Sequence, residues 1–117
     1  MIKNKIVLVP FPFDNLTTAK VRPAVCLTDK VGPHNHVVVA FITSQVPVDL
    51  MDTDIVVDSD NKDFQKTGLK VSSTIRLHCL MTISTSIIRR ELGQLSKEHQ
   101  AQIDKRLVKL FQLQDKI

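Results

Sequence analysis

The feature that most constrains the fold is a series of short apolar segments of β type, separated by turns rich in proline, glycine and asparagine. Short strands at regular spacing are typical of a small, strongly bent β-barrel. The near-continuous apolar segment 36–43 predicts a strand that is buried on both faces. We predict strands over residues 5–9, 23–28, 36–43, 53–58, 71–83 and 87–92.

One helical pattern follows the strands. Ser96 is expected to cap a helix of roughly 20 residues. Spacings of i, i+4, i+7 and i+8 put a set of apolar side chains on one buried face. This set is Ile103, Leu107, Leu110 and Phe111. We therefore predict a mainly β (α+β) fold in which residues 1–117 form one barrel domain with a C-terminal α-helix.

Charge and cysteine content limit the classes of function. Residues 49–63 are acidic, whereas both flanking parts of the chain are basic, and the net charge is +4. This distribution suits a polyanionic ligand if the acidic segment points away from it. The longest apolar segment is far shorter than the roughly 20 residues that span a bilayer, so we expect a cytoplasmic protein without membrane contact. Cys26 and Cys79 are expected to be buried free thiols.

Enzymatic signatures that depend on a metal or cofactor are missing from the sequence. It has no glycine-rich phosphate loop, no nucleophile elbow and no cysteine pair with zinc spacing. His34 and His36 flank Asn35 beside a Gly-Pro turn, where we favour a solvated turn over a metal site. We expect neither a metal nor a cofactor.

Arg22 begins an apolar strand, directly before Pro23. Proline restricts both its own φ and the conformation of the preceding residue, so this guanidinium is held on stiff backbone at the mouth of a loop. A guanidinium placed in this way can bind a phosphate through two parallel hydrogen bonds. An ordinary surface salt bridge remains the alternative.

Three further polar residues lie within apolar surroundings. Thr43 ends the buried segment 36–43, where its hydroxyl can reach a cleft or bond to local backbone. Arg76 and His78 are two residues apart and are expected to share one face of a strand, opposite Ile75, Leu77, Cys79 and Met81. A face with two such residues is expected to be hydrated or to contact a ligand.

These segments resemble the PemK/MazF toxins, the mRNA-cleaving partners of type II toxin–antitoxin pairs. The resemblance covers nearly the whole chain in the same order. It is most specific in Lys-x-Arg-Pro-Ala and Ile-Thr-Ser. The segments that carry it are VPFPFDNLTTAKVRPAVCL, VVVAFITS, TGLKVSSTIRLHCLMTI and the helix after LGQLS.

The resemblance implies an SH3-like barrel of the MazF/CcdB type, a homodimer, and a small acidic antitoxin as partner. It also implies a metal-independent, sequence-selective endoribonuclease acting on single-stranded RNA, in which the 2′-OH attacks the adjacent phosphate. The products would carry 2′,3′-cyclic phosphate and 5′-OH ends. By position in the motifs, Arg22 and Thr43 correspond to residues regarded as catalytic, and Arg76 and His78 to an Arg-x-Asp pair of some relatives.

Departures from the family pattern leave the proton-transfer roles open. The chain has His78 where some relatives have a carboxylate, and Leu16 where some have a histidine. We predict that the first loop and the neighbouring strand ends bind RNA. The residues predicted for this contact are Phe13, Thr17, Thr18, Lys20 and Ser44.

Two other functions are consistent with the same barrel. A CcdB-like toxin would bind gyrase, but that mode depends on a C-terminal aromatic residue, and residues 113–117 contain none. A catalytically inactive RNA-binding domain is the third reading, given the departures above. RNA cleavage in EDTA and a gyrase-dependent relaxation assay separate the three.

Overall fold

A computed structural model describes residues 1–11 and 20–113 of the chain. Two helices occur in this part, α1 (Phe64–Thr67) and α2 (Lys97–Leu110), with a short 3-10 turn at Thr85–Ile87. The strands are β1 (Lys5–Pro10), β2 (Val21–Cys26), β3 (His36–Thr43), β4 (Asp54–Val57), β5 (Ser73–Ser84) and β6 (Arg90–Gln94).

These strands form one antiparallel sheet with the order β4-β5-β3-β2-β1-β6. The sheet curls into an open half-barrel, so the prediction of a mainly β barrel with a C-terminal helix is confirmed. Within the described ranges, no helix has the length and apolar character needed to cross a membrane.

Both faces of the sheet carry apolar side chains. Ile6, Val25 and Ile42 belong to a helix-side core, which α2 closes through Ile103. Alternate residues of the same strands point to a second core, which contains Val7, Val9, Ala24, Cys26, Val37, Val39, Phe41 and Ile83. Because successive side chains of a strand point to opposite faces, a strand between two cores must be apolar throughout. The continuous apolar character of β3 has this cause.

The C-terminal helix is shorter than predicted. Ser96 caps it, as expected, through a 3.2 Å bond from the His99 N–H to Ser96 Oγ. The 14-residue α2 ends where Gln112 adopts a φ of 54°, with the Leu113 N–H bonded to Val108 O at 2.9 Å. Such a left-handed residue stops a helix. Phe111 follows the last helical residue and is 55% exposed, so its predicted place in the core is wrong.

Two sequence predictions are wrong in the region where α1 contacts β6. The segment 59–66, predicted as a polar loop, contains the start of α1, and Gly93, predicted to end a strand, lies inside β6. A Cβ atom at Gly93 would lie 2.1 Å from the carbonyl oxygen of Lys66. Glycine is therefore required here because two backbones approach each other closely.

Candidate active site

A cavity of about 390 Å³ opens at one end of the second core. It contains two arginines, two side chains with a hydroxyl or amide, and a thiol, beside two aromatic rings. Its lining residues are Phe11, Arg22, Phe41, Ile42, Thr43, Gln45, Arg76 and Cys79. The structure thus brings together three of the four residues predicted to be catalytic, namely Arg22, Thr43 and Arg76.

Strand pairing explains why Arg22 meets Thr43. In the antiparallel pair of β2 and β3, Ala24 lies opposite Phe41. Moving two residues back along β2 and two forward along β3 reaches Arg22 and Thr43 on the same face as that pair. Two residues that are 21 positions apart in the chain therefore lie side by side at the rim of the second core.

Two phenylalanine rings hold the Arg22 side chain in place. Its Cζ atom lies 5.2 Å from the centroid of the Phe11 ring, which is a cation–π geometry. The Phe11 ring in turn packs edge-on against Phe41, with centroids 4.7 Å apart. Phe41 is only 4% exposed, so this stack is anchored in the second core. Arg22 is the second residue of β2, in agreement with the prediction that it lies at the start of this strand, and it pairs with Val9 of β1.

Arg76 reaches the cavity from β5 and is held by a carboxylate. Its Nε lies 3.2 Å from Oδ1 of Asp54, whose side chain is completely enclosed. A terminal nitrogen of the same guanidinium is 3.6 Å from the Met51 sulfur. Asp54 belongs to the acidic segment 49–63, so one carboxylate of that segment lies beside a guanidinium of the cavity.

An irregularity in β5 decides which of its side chains enter the cavity. Ala40 pairs with Leu80 and Ile42 with Ile75, so two steps along β3 match five steps along β5. The extra residues of β5 between Ile75 and Leu80 form a bulge. Beyond the bulge, the alternation of side chains between the two faces of the sheet is out of phase with the alternation before it. Arg76 and Cys79, three residues apart, consequently line the same cavity.

The same bulge corrects the predicted face of β5. Ile75 and Leu77 pack in the helix-side core together with Leu80, whereas Cys79 and Met81 pack against the second core. Ile75, Leu77, Cys79 and Met81 were expected on one face and Leu80 on the other, because the prediction assumed regular alternation throughout the strand. Strand periodicity cannot locate a bulge of this kind.

The Thr43 hydroxyl is oriented by local backbone. Its Oγ1 accepts the Gln45 N–H at 3.3 Å. The Gln45 carbonyl accepts the Thr74 hydroxyl at 2.8 Å, which holds the turn after β3 in place. An oxygen that accepts one bond still has its own O–H to donate, so Thr43 can present a hydrogen-bond donor to a ligand.

His78 is not among the residues that line the cavity. Its side chain is exposed, and its Nδ1 lies 2.9 Å from the Thr53 hydroxyl. That bond leaves Nε2 as the ring nitrogen available for a ligand or a proton. His78 therefore lies outside the cavity that Arg76 lines.

The structure describes only some of the residues that were predicted to bind RNA. Ser44 is exposed and follows Thr43 at the rim, and Lys20 is exposed where its carbonyl accepts the Phe11 N–H at 2.9 Å. Phe13, Thr17 and Thr18 lie outside the described residues.

The two cysteines differ in environment. Burial raises the pKa of the Cys26 thiol to about 11, so this group stays protonated and unreactive at neutral pH. Cys79 is half-buried and lines the cavity, which the prediction of two buried thiols did not anticipate. The sequence did not indicate that Cys79 and Gln45 line the cavity or that Asp54 binds one of its arginines, because these positions depend on the bulge and on strand pairing.

Other polar clusters show no comparable arrangement. The rings of His34 and His36 lie 5.9 Å apart in a solvent-exposed turn. Within residues 1–11 and 20–113, no three metal-ligating side chains come together. A larger cavity of about 790 Å³ at the start of α2 is lined by three lysines and three carboxylates, so it has no net charge that would select a phosphate.

Two guanidiniums and a hydroxyl around one small cavity suit a phosphodiester. Guanidiniums stabilise the charge that develops on phosphate oxygens, and a fixed hydroxyl orients the reacting group. The fold and this cavity define a small β-barrel protein with a cleft that two arginines line.

Comparisons with known proteins agree with this class. The family model described as "PemK-like, MazF-like toxin of type II toxin-antitoxin system" matches residues 3–111. The chain therefore belongs to the PemK/MazF toxin family. A search of curated protein sequences gave no significant match.

Solved structures support the fold. The Mycobacterium tuberculosis toxin MazF-mt6 is 26% identical, with a TM-score of 0.71 over 95% of this chain and 99% of that chain. A second Mtb toxin is 24% identical, with a TM-score of 0.62 over 87% of this chain and 97% of that one. An endoribonuclease in complex with its cognate antitoxin from Mycobacterial species shares the fold at 11% identity, with a TM-score of 0.71 over 98% of both chains.

Proposed function

We propose that the protein is a metal-independent endoribonuclease that cleaves single-stranded mRNA at selected sequences. The observation that carries the proposal is the convergence of Arg22, Thr43 and Arg76 on one cavity in a chain of the PemK/MazF family. Two structural relatives of the same fold are named endoribonucleases.

The proposed reaction uses the 2′-OH of the RNA as nucleophile. Its oxygen bonds to the adjacent phosphorus while the bond from phosphorus to the 5′ oxygen of the next nucleotide breaks. The attacking hydroxyl loses a proton, and the departing 5′ oxygen gains one. The products are a 2′,3′-cyclic phosphate and a 5′-OH, and no metal is needed because the nucleophile is part of the substrate.

Arg22 and Arg76 are proposed to bind the non-bridging phosphate oxygens, where negative charge builds up in the transition state. A guanidinium is a poor proton acceptor, because it stays protonated at neutral pH. Thr43 is proposed to orient the phosphate or the 2′-OH through its hydroxyl. Proton transfer therefore requires another group.

His78 is the proposed acid/base group. Among the residues that the structure describes, those lining the cavity include no histidine and no carboxylate. His78 lies two residues from Arg76, and its exposed ring is fixed at Nδ1 by Thr53, so Nε2 can exchange a proton with an RNA bound across β5. Contact with a base is the alternative role for the same exposed ring.

RNA is proposed to extend from the cavity past Lys20 and Ser44 and to contact the first predicted loop, residues 11–20. Phe13, Thr17 and Thr18 of that loop are proposed to take part in this contact. Among the residues around the cavity the aromatic groups are phenylalanines, and the chain has neither Trp nor Tyr. Sequence choice should therefore depend more on hydrogen bonds than on stacking.

The proposed assembly is a homodimer that a small acidic antitoxin neutralises. A structural relative occurs in complex with its cognate antitoxin, and a basic chain of net charge +4 suits an acidic partner. Free thiols and an mRNA substrate fit the cytoplasm as the proposed location.

The decisive experiment incubates the purified protein with a long single-stranded RNA in EDTA. We expect discrete fragments with 2′,3′-cyclic phosphate and 5′-OH ends. A substrate with 2′-deoxyribose at the cleaved position should remain intact, because its nucleophile is missing. Intact RNA with the wild-type protein and with a matched buffer control would refute the proposal, and inhibition of gyrase-dependent DNA relaxation would point to the gyrase-binding alternative.

A further inference from the structure

We infer that Asp54 is the residue that positions Arg76 for reaction with the RNA phosphate, an inference that rests on the proposed function. The two residues are directly paired across β4 and β5 in the sheet. Oδ1 of Asp54 accepts the Nε–H of Arg76 at 3.2 Å. A bond at Nε fixes the plane of the guanidinium, and the outer nitrogens, one of which contacts the Met51 sulfur at 3.6 Å, carry further N–H groups for a phosphate.

The Asp54 carboxylate is itself immobile. Its side chain is 0% exposed, and Oδ2 accepts the Met51 N–H at 3.0 Å. The Asp54 N–H donates to Met51 O at 2.9 Å, so the turn at residues 51–54 is closed from both directions. The Asp54 carbonyl accepts a bond from Arg106 of α2 at 3.3 Å. These contacts tie the orientation of Arg76 to the rigid part of the fold.

The geometry indicates that Asp54 binds Arg76 and does not contact the substrate. Both carboxylate oxygens already accept N–H groups of the protein, and the enclosed side chain is not among the cavity-lining residues. Proton transfer from a 2′-OH would need an oxygen that the RNA can reach. Asp54 is therefore a positioning residue, and its effect on the reaction passes through the guanidinium.

The substitution Asp54→Asn tests whether Asp54 positions Arg76. An amide has one oxygen and one NH₂ group, so it cannot accept the Arg76 Nε–H and the Met51 N–H through opposite ends. One of the two bonds must be lost while the shape of the side chain is kept. Misplacing a catalytic group by about 1 Å is enough for a rate loss on the order of 100-fold.

The test is a double-mutant cycle of RNA cleavage with Asp54→Asn, Arg76→Ala and the double variant. We expect Asp54→Asn to lower kcat by at least about tenfold with KM within about threefold, and to have no further effect when Arg76 is already Ala. Losses that multiply in the double variant, or a kcat for Asp54→Asn within about twofold of wild type, would overturn the inference. A wild-type protein that leaves RNA intact would instead overturn the proposed function, and the inference with it.

A second measurement covers the case in which Asp54→Asn does not fold. In ¹H–¹⁵N spectra of the wild-type protein, the Nε–H of Arg76 should exchange with water much more slowly than those of the exposed Arg89 and Arg90. Exchange of Arg76 as fast as that of Arg89 would show that Asp54 does not hold the guanidinium.

Discussion

Arg22 lies with its guanidinium carbon 5.2 Å from the centre of the Phe11 ring, at the rim of a cavity that also contains Arg76. The attraction between the cationic guanidinium and the negative face of the ring holds the Arg22 side chain beside this cavity. This relationship makes Arg22 a fixed electrostatic element of the proposed site.

Replacing Arg22 should therefore abolish RNA cleavage without unfolding the protein. We expect Arg22→Ala to lose at least about 100-fold in cleavage rate, the size typical for loss of one transition-state donor. Arg22→Lys should recover little, because an ammonium cannot make the paired contact of a guanidinium. Arg89→Ala is the matched control, since Arg89 is exposed away from the cavity-lining set. A near wild-type rate for Arg22→Ala, measured on RNA in EDTA, would contradict the proposed site.

Thr43→Val tests whether the hydroxyl serves the reaction. The substitution keeps the shape of the side chain and removes its O–H, together with the acceptor for the Gln45 N–H. That bond is exposed, so we expect a loss of less than about 1 kcal/mol in the free energy of unfolding. Cleavage should slow by about tenfold or more. A lower melting temperature with unchanged cleavage would assign Thr43 to the turn alone.

His78→Asn tests the proposed proton transfer. If His78 exchanges a proton through Nε2, single-turnover cleavage should slow and the dependence of its rate on pH should change shape in the variant. Asn preserves a polar contact with the Thr53 hydroxyl, so the fold should be kept. A role in base contact would alter affinity or sequence preference while the pH profile stayed that of the wild type.

Gly93→Ala should destabilise the barrel because the new Cβ would lie 2.1 Å from Lys66 O. The clash is with backbone, so either β6 or α1 must shift, at a cost of about 1–3 kcal/mol or more. Gly32→Ala is the matched control. Unlike Gly93, Gly32 has a positive φ, of 75°, and a Cβ there meets nothing within 4 Å, so only the backbone strain of about 1–2 kcal/mol applies. A melting temperature of Gly93→Ala equal to that of the wild type would show that the close approach at Gly93 is relaxed in solution.

Asp29 links stability to pH at the N-terminal end of the sheet. Backbone N–H groups of Lys3 and Ile2, which donate to Oδ1 at 2.9 and 2.8 Å, hold the pKa of this carboxyl below its ordinary value of 3.8. A lowered pKa in the folded state means that the stabilisation is complete above the ordinary pKa and is lost as pH falls through the lower one. Asp29→Asn should therefore lower the melting temperature near pH 7, and the difference from wild type should shrink below about pH 4. A difference that is constant with pH would exclude this linkage.

The local character of the chain could be read from the sequence. Turn residues and apolar segments determine the strands, and the hydroxyl of Ser96 begins α2, because these are effects of near neighbours. The apolar character of β3 on both faces also follows from its residues alone. Arg22 and Thr43 were found because each stands at the end of an apolar segment next to a residue that constrains the backbone or ends the strand.

The tertiary structure determines which side chains line the cavity. The bulge in β5 places Arg76 and Cys79 in one cavity, although regular alternation would put residues three positions apart on opposite faces of the strand. Strand pairing brings Asp54 from an acidic segment onto Arg76, and close approach of two backbones requires Gly93. Bulges, registers and backbone contacts between distant segments depend on how the whole sheet curls, and that information is not contained in any local window of residues.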